Sequence, residues 1–270
     1  MKERLRSALV DFILGFSAAT KAAIAAALNK RPPPFSGVYR SFSDVPGRAD
    51  FGASTMWQEQ QRYVATLSRT ETGRAGMRRL IRSKAVLPVV VAFLAANGRP
   101  VRVLDFGGGA GQDFGNLLAS GSVTDVSYHV VDVAPICEIG RSVWADDSRV
   151  SFSAELPAPD ARFDLVYAFS AIQYIEDTDA LLRHFASYQP RAILLMAHPL
   201  AEVAFVRSQV NMDVVVPQAV PVLPRVREVL AQSGYELAMK AWSETDLNVE
   251  NYDEPHRVPG DANLLFLRRG

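Results

Sequence analysis

Two carboxylates and a bare stretch of backbone hold the chemistry of this chain. The run Val103-Leu104-Asp105-Phe106-Gly107-Gly108-Gly109-Ala110-Gly111 takes an apolar strand to an acid, then strips a turn of side chains. Gly107, Gly108, Gly109 and Gly111 let a ligand approach the main chain, and glycine permits the positive φ such a turn needs. Gln112 to Ala119 is helix-compatible, so the ligand would lie against backbone with a helix N-terminus behind it. About twenty residues on, as in nucleotide-binding βαβ units, Tyr128-His129-Val130-Val131-Asp132 again ends in an acid. Asp132 is placed to accept hydrogen bonds from two ribose hydroxyls, charge-assisted bonds that contribute roughly 1.5–3 kcal/mol each. The pattern points to a nucleoside bound at the carboxyl edge of a parallel sheet. Val133 can cover one face of an adenine and Phe152 or Ala154 the other, with Ser153 or Glu155 on the exocyclic amine.

The elements that must position these residues follow from periodicity. Strands are expected at 101–106, 127–132, 150–153, 163–169, 192–197, 236–241 and 262–268. Helices are expected at 112–119, 134–145, 178–188 and 222–233. Apolar strands separated by helices give an α/β, Rossmann-like, doubly wound, seven-stranded and mostly parallel sheet. The last two strands, with no helix pattern between them, read as an antiparallel hairpin at one edge. Residues 99–270 thus form the main domain. Ahead of it, 1–30 reads as an amphipathic helix and 31–98 as a linker and helical cap. Arg31-Pro32-Pro33-Pro34 stops the first helix. Ser36 to Phe42 reads as irregular chain with aromatic anchors, and helices follow at 54–68 and 74–96.

Composition narrows the function classes. The 270 residues are 49% apolar and 21% charged, with 29 basic and 29 acidic side chains and no net charge. Nothing in this balance suggests a nucleic-acid partner. The one cysteine, Cys137, has no disulfide partner and no companions for a zinc site, so no metal is expected and the cytoplasm is the natural compartment. Leu5, Leu9, Phe12, Phe16, Ile24 and Leu28 fall near one helical stripe behind a basic start. Asp11 and Lys21 break the apolar run, which argues against export or a membrane span. That helix packs on the domain or a partner protein, or lies at the inner face of the membrane through Lys2, Arg4 and Arg6. Arg74, Arg78, Arg79, Arg82 and Lys84 form a basic cluster that reads first as a solvated helix face.

A glycine-rich turn alone also fits a dinucleotide-binding oxidoreductase. The dinucleotide fingerprint spaces glycines G-x-G-x-x-G, but Gln112 stands at the third position here, and Asp105 would sit beside a pyrophosphate. The segment Asp105–Gly111 resembles the first motif of class I S-adenosylmethionine-dependent methyltransferases, and Phe163-Asp164-Leu165-Val166-Tyr167-Ala168-Phe169-Ser170 resembles their fourth-strand motif. The chain is more closely similar to a methyltransferase family found with bacterial surface-polysaccharide genes. That similarity runs through Gly37–Phe42, Asp105–Asp113, Val131–Arg141, Ser170–Tyr174, Gly234–Leu237 and Asn263–Arg269. The resemblance implies S-adenosylmethionine as cofactor. It also implies a small-molecule or glycan acceptor, with oxygen of a sugar as the methylated atom. A non-catalytic cofactor-binding partner of a glycan-assembly enzyme remains a second reading.

Methyl transfer to an alcohol needs an acceptor held in line and a base for its proton. His198 follows a strand, precedes Pro199 and titrates near neutrality in its ordinary state, so it is the expected base. Ser170, Gln173 and Tyr174 follow the fourth strand of the main sheet. By the resemblance that loop lines the methyl-donor pocket, with Gln173 orienting a hydroxyl and Tyr174 near the sulfonium. Tyr39 and Trp57 offer aromatic faces to a sugar ring.

Overall fold

The computed structural model describes residues 34–70, 86–96, 98–121, 125–243 and 251–270. The expected N-terminal helix and the basic cluster at 74–84 lie outside the described residues. In chain order the strands are β1 (Phe35–Tyr39), β2 (Val101–Phe106), β3 (Val126–Val131), β4 (Val150–Ser153), β5 (Leu165–Phe169), β6 (Ala192–Pro199), β7 (Phe205–Asn211), β8 (Val214–Val220), β9 (Tyr235–Ser243) and β10 (Asp261–Arg268). The helices are α1 (Thr55–Arg69), α2 (Val86–Ala95), α3 (Gln112–Ala119), α4 (Ala134–Val143), α5 (Thr178–Ser187) and α6 (Leu223–Gln232). Among the described residues no helix is long and apolar enough to cross a membrane.

Seven strands make the main sheet in the order β4-β3-β2-β5-β6-β10-β9. Its first five members pair in parallel. β10 runs antiparallel to both β6 and β9, so the expected edge hairpin is present. Successive side chains alternate between two cores, as the period of a strand demands. Val103, Leu165, Tyr167 and Leu194 pack with Leu87, Val91, Phe114 and Leu117 on one face. Leu104, Val166, Ala168 and Leu195 pack with Leu182, Phe185, Val226 and Leu230 on the other. The chain moves from β2 outward to β3 and β4, then crosses back to β5. The carboxyl ends of β2 and β5 therefore flank a topological switch point, where open α/β sheets form their binding crevice.

A second sheet, ordered β1-β7-β8 and antiparallel, departs from the sequence expectation. Residues 36–42 are not irregular throughout: β1 covers most of them, and the unassigned stretch after His198 supplies β7 and β8. Pro217 lies within β8, which the sequence rules against, but β8 is an edge strand and needs no inward N–H there. Tyr39 pairs with Val206 and Ser36 with Ser208 across the β1–β7 ladder.

This small sheet is tied to α1. Ser54 caps the helix by accepting the Trp57 N–H at 3.0 Å, and its hydroxyl donates to the Asp213 carboxylate in the β7–β8 turn. The Ala49 N–H donates to Val215 O at 2.8 Å. Ser54 is fully buried, so truncation leaves an orphan N–H and an unpaired acid. Ser54→Ala should lower unfolding free energy by about 1–2 kcal/mol, read as a shifted urea midpoint with an unchanged m-value.

Candidate active site

The glycine turn is held from both sides. Gly107, Gly109 and Gly111 have φ of 69, 61 and 87°, a region that side-chain-bearing residues seldom enter. The Gly107 N–H donates to Val131 O at 2.7 Å, joining the turn to the end of β3. The Gly109 N–H donates to Asp132 Oδ2 and the Val133 N–H to Oδ1, each at 2.8 Å. Each carboxylate oxygen can accept more than one hydrogen bond, so acceptor capacity is left on both. Burial raises the Asp132 pKa to about 6, and the two N–H donors work against that rise.

Asp105 lies beneath the turn, fully buried, and its Oδ2 accepts the Tyr128 hydroxyl at 2.8 Å. A Cβ on Gly108 would fall 2.3 Å from that oxygen, so the turn can rest on the carboxylate only as glycine. Asp113, at the start of α3, accepts the Tyr167 hydroxyl at 3.1 Å. Burial raises both phenols well above their usual range, which keeps them protonated donors. The sequence reading has Asp105 reaching a ligand ammonium; the structure puts it one layer lower, under the backbone that would meet the ligand.

Above the turn, α1 supplies a residue that the sequence reading missed. Gln61 is 3% exposed, and its Oε1 accepts the Ala110 N–H at 3.3 Å. A Cβ on Gly109 would come within 2.2 Å of the same oxygen. Gln112 flanks Gly109 from the other side, and its buried Oε1 takes no hydrogen bond within the protein. Two amide carbonyls thus converge on the middle of the turn. Gln61 gives no signal in sequence beyond being polar within an amphipathic helix. The signal for Gln112 was its place directly after Gly111.

The expected adenine residues divide. Val133 lies beside Gly52 and packs with Trp57, Ala110 and Ile136, so it faces the turn. Phe152 instead packs into the core against Gly140 and Gly111, with a would-be Cβ on Gly140 only 2.3 Å from its ring. Ser153 Oγ donates to Glu155 O and meets His129 Nε2 at 2.9 Å. Neither side chain is directed to the pocket, because β4 alternation spends one on the core and the other on the β3 ladder. Trp57, read as a substrate platform, belongs with the turn. Its ring lies 5.4 Å from Phe51, which stands edge-on to Tyr174 at 4.8 Å. Tyr39 lies apart from Trp57, on the small sheet.

Beyond β5 the backbone is strained. Ser170 and Ala197 hold φ of 51 and 56° without being glycine, a cost of order 1–3 kcal/mol each that clusters at functional sites. At Ala197, β6 carries a bulge opposite Asn263, whose Oδ1 accepts the Ala197 N–H at 3.0 Å. Bulges re-aim side chains next to active sites, and the residue that follows is His198. Its Nε2 lies 3.2 Å from Ala168 O, its Nδ1 lies 2.7 Å from the Gln173 amide, and that amide also reaches Ser170 Oγ at 2.9 Å. Burial lowers the His198 pKa to about 3. A neutral imidazole has one N–H, which Ala168 O takes, so Nδ1 accepts and Gln173 must turn its NH2 toward it. This corrects the expected base: His198 is 1% exposed, both nitrogens are engaged, and it accepts protons poorly at neutral pH. It orients Gln173. The Tyr174 hydroxyl donates to Gln209 Oε1 at 2.7 Å, linking the loop to β7 rather than standing free.

Residues 77–239 match the family model described as methyltransferase domain. The chain belongs to that family. No curated protein matches it significantly. Among solved structures it is similar to magnesium protoporphyrin IX methyltransferase from Synechocystis PCC 6803, at 17% identity over 81% of this chain and 93% of that one, TM-score 0.49. It is also similar to an amino pentose methyltransferase from Micromonospora echinaspora, at 14% identity over 74% and 98%, TM-score 0.46. A third is 1,6-didemethyltoxoflavin-N1-methyltransferase from Burkholderia thailandensis, at 17% over 78% and 89%, TM-score 0.46.

The titration of this methyltransferase's site follows from burial. The folded Asp132 pKa of about 6 stands above the ordinary 3.8, so protonation favours the folded form. Its contribution to stability is fully present below about pH 4 and is lost as pH rises through 6. Carboxyl-detected NMR should find the Asp132 midpoint near pH 6, and Asp132→Ala should remove that segment of the stability profile.

Proposed function

We propose that this S-adenosylmethionine-dependent methyltransferase methylates an oxygen of a sugar, glycan precursor or related small metabolite. The observation that carries the cofactor half is the Asp132 carboxylate: each oxygen holds one backbone N–H and keeps room for one ribose hydroxyl, directly beside a turn without side chains. The donor set fits the rest of the cofactor. Gln61 and Gln112 present carbonyl oxygens to a cationic amine at Gly109, and the buried Asp105 and Asp113 add negative potential from below. The same acids oppose the pyrophosphate of a nicotinamide dinucleotide, which disfavours an oxidoreductase.

Bound there, S-adenosylmethionine supplies an electrophilic methyl group on a sulfonium. The protein's part is to hold the acceptor atom in line with it, and such positioning supplies roughly 7–11 kcal/mol of barrier reduction. Ser170 and Gln173 carry the polar atoms closest to the β5 end of the crevice, and His198 locks the Gln173 amide. Ser170 and Gln173 can hydrogen-bond the acceptor hydroxyl, and its proton passes to solvent water rather than to the imidazole. Support for a sugar rests on the family resemblance and on the ring pair of Phe51 and Tyr174 beside the loop after β5. Peripheral contact with a membrane or a partner protein through the N-terminal residues, and a role in surface-polysaccharide assembly, belong to the same reading.

Calorimetry with S-adenosylmethionine tests the cofactor half. Binding should weaken at least about a hundredfold in Asp132→Ala, from two charge-assisted bonds, and should fall for the wild type as pH drops through 6, where the carboxylate protonates. Heat from NADH and none from S-adenosylmethionine would overturn the assignment. Methyl incorporation into glycan precursors, assayed with labelled donor, tests the acceptor half.

A further inference from the structure

Arg207 sits on β7 at 1% exposure, among the largest fully buried side chains of the protein. Its Nε donates to Gln218 Oε1, and its guanidinium lies 3.7 Å from the Phe35 ring centroid. Its Nη1 is buried with no hydrogen-bond partner, and so is the Tyr252 hydroxyl. The two groups meet at Phe35, whose ring the guanidinium covers and which belongs to the same buried cluster as Tyr252. Among the described residues no carboxylate comes within ion-pair distance of Arg207; Asp261 acts on it only from farther off. A buried cation without a counter-charge is expensive to keep, and amide and ring contacts offset part of that cost.

The location gives the orphan donors a meaning. Gln209 lies two residues along β7, on the same face as Arg207, and holds the Tyr174 hydroxyl. Tyr174 in turn adjoins Gln173, which reaches Ser170 at the carboxyl edge. Arg207 therefore lies on the strand that anchors the loop following β5. A guanidinium matches oxyanions in a planar, two-point fashion, as a lysine would not. By contrast, the guanidinium groups of Arg102 and Arg191, at the amino ends of the strands, already meet the Asp164 carboxylate and Leu94 O.

We infer that Arg207 and Tyr252 bind an oxyanion of the acceptor, a carboxylate or a phosphate, and so select acidic or phosphorylated substrates. The name acceptor rests on the methyltransferase reading; the oxyanion site itself does not.

The test is a thermal melt of the full chain in inorganic phosphate, in acetate and in chloride at equal ionic strength. Phosphate or acetate should raise the midpoint by about 3 °C over chloride, and which one does so tells a phosphorylated from a carboxylated acceptor. The rise should vanish in Arg207→Met and shrink in Tyr252→Phe, which removes one hydroxyl and keeps the fold if the arginine variant does not. Equal midpoints in all three salts, or a rise that survives both substitutions, would overturn the inference. S-adenosylhomocysteine calorimetry on the same samples separates the two readings. Binding of that nucleoside without an anion effect rejects only the oxyanion site, and an anion effect without nucleoside binding rejects only the methyltransferase reading.

Discussion

Two peptide N–H groups, from Gly109 and Val133, converge on the carboxylate of Asp132, and the rest of the site depends on that convergence. A turn of four glycines has more conformational freedom to lose than any other stretch of this chain. Clamping it to the end of β3 gives it one shape. It also fixes the acid at the turn with acceptor capacity left on both oxygens. Substituting any of these glycines meets a side chain already in place, from Asp105, Gln61, Trp144 or Ala171.

Below the clamp lies a polar layer that a purely apolar core would lack. Asp105 with Tyr128, and Asp113 with Tyr167, keep two carboxylates in hydrogen bonds inside the sheet–helix interface. Each phenol is held protonated by burial and therefore keeps donating. The layer sets the sign of the potential in the turn and so favours a ligand that is positive where it meets Gly109. Trp144 completes the support by donating its ring N–H to Ala110 O at 2.9 Å.

Much of this was legible in the sequence because it follows from period and punctuation. The strands of the main sheet, the helix opening at Gln112, and the carboxylates at the ends of β2 and β3 are all local signals. The small sheet was not legible, because Pro217 interrupts β8 and the β7–β8 turn at Met212-Asp213 lacks the usual glycine. The rank order of site residues was not legible either. Alternation along β4 sends Phe152 to the core, and the bulge at Ala197 buries His198, so residue type alone misjudged both. Gln61 and Arg207 matter through contacts with segments distant in sequence, which no local pattern encodes.

The bond between Ser54 and Asp213 ties two parts of the structure that are distant in sequence. Through it the start of α1 and the β7–β8 turn become one mechanical piece. A change that displaces that turn therefore also displaces the helix carrying Gln61, and with it the contact on the Ala110 N–H.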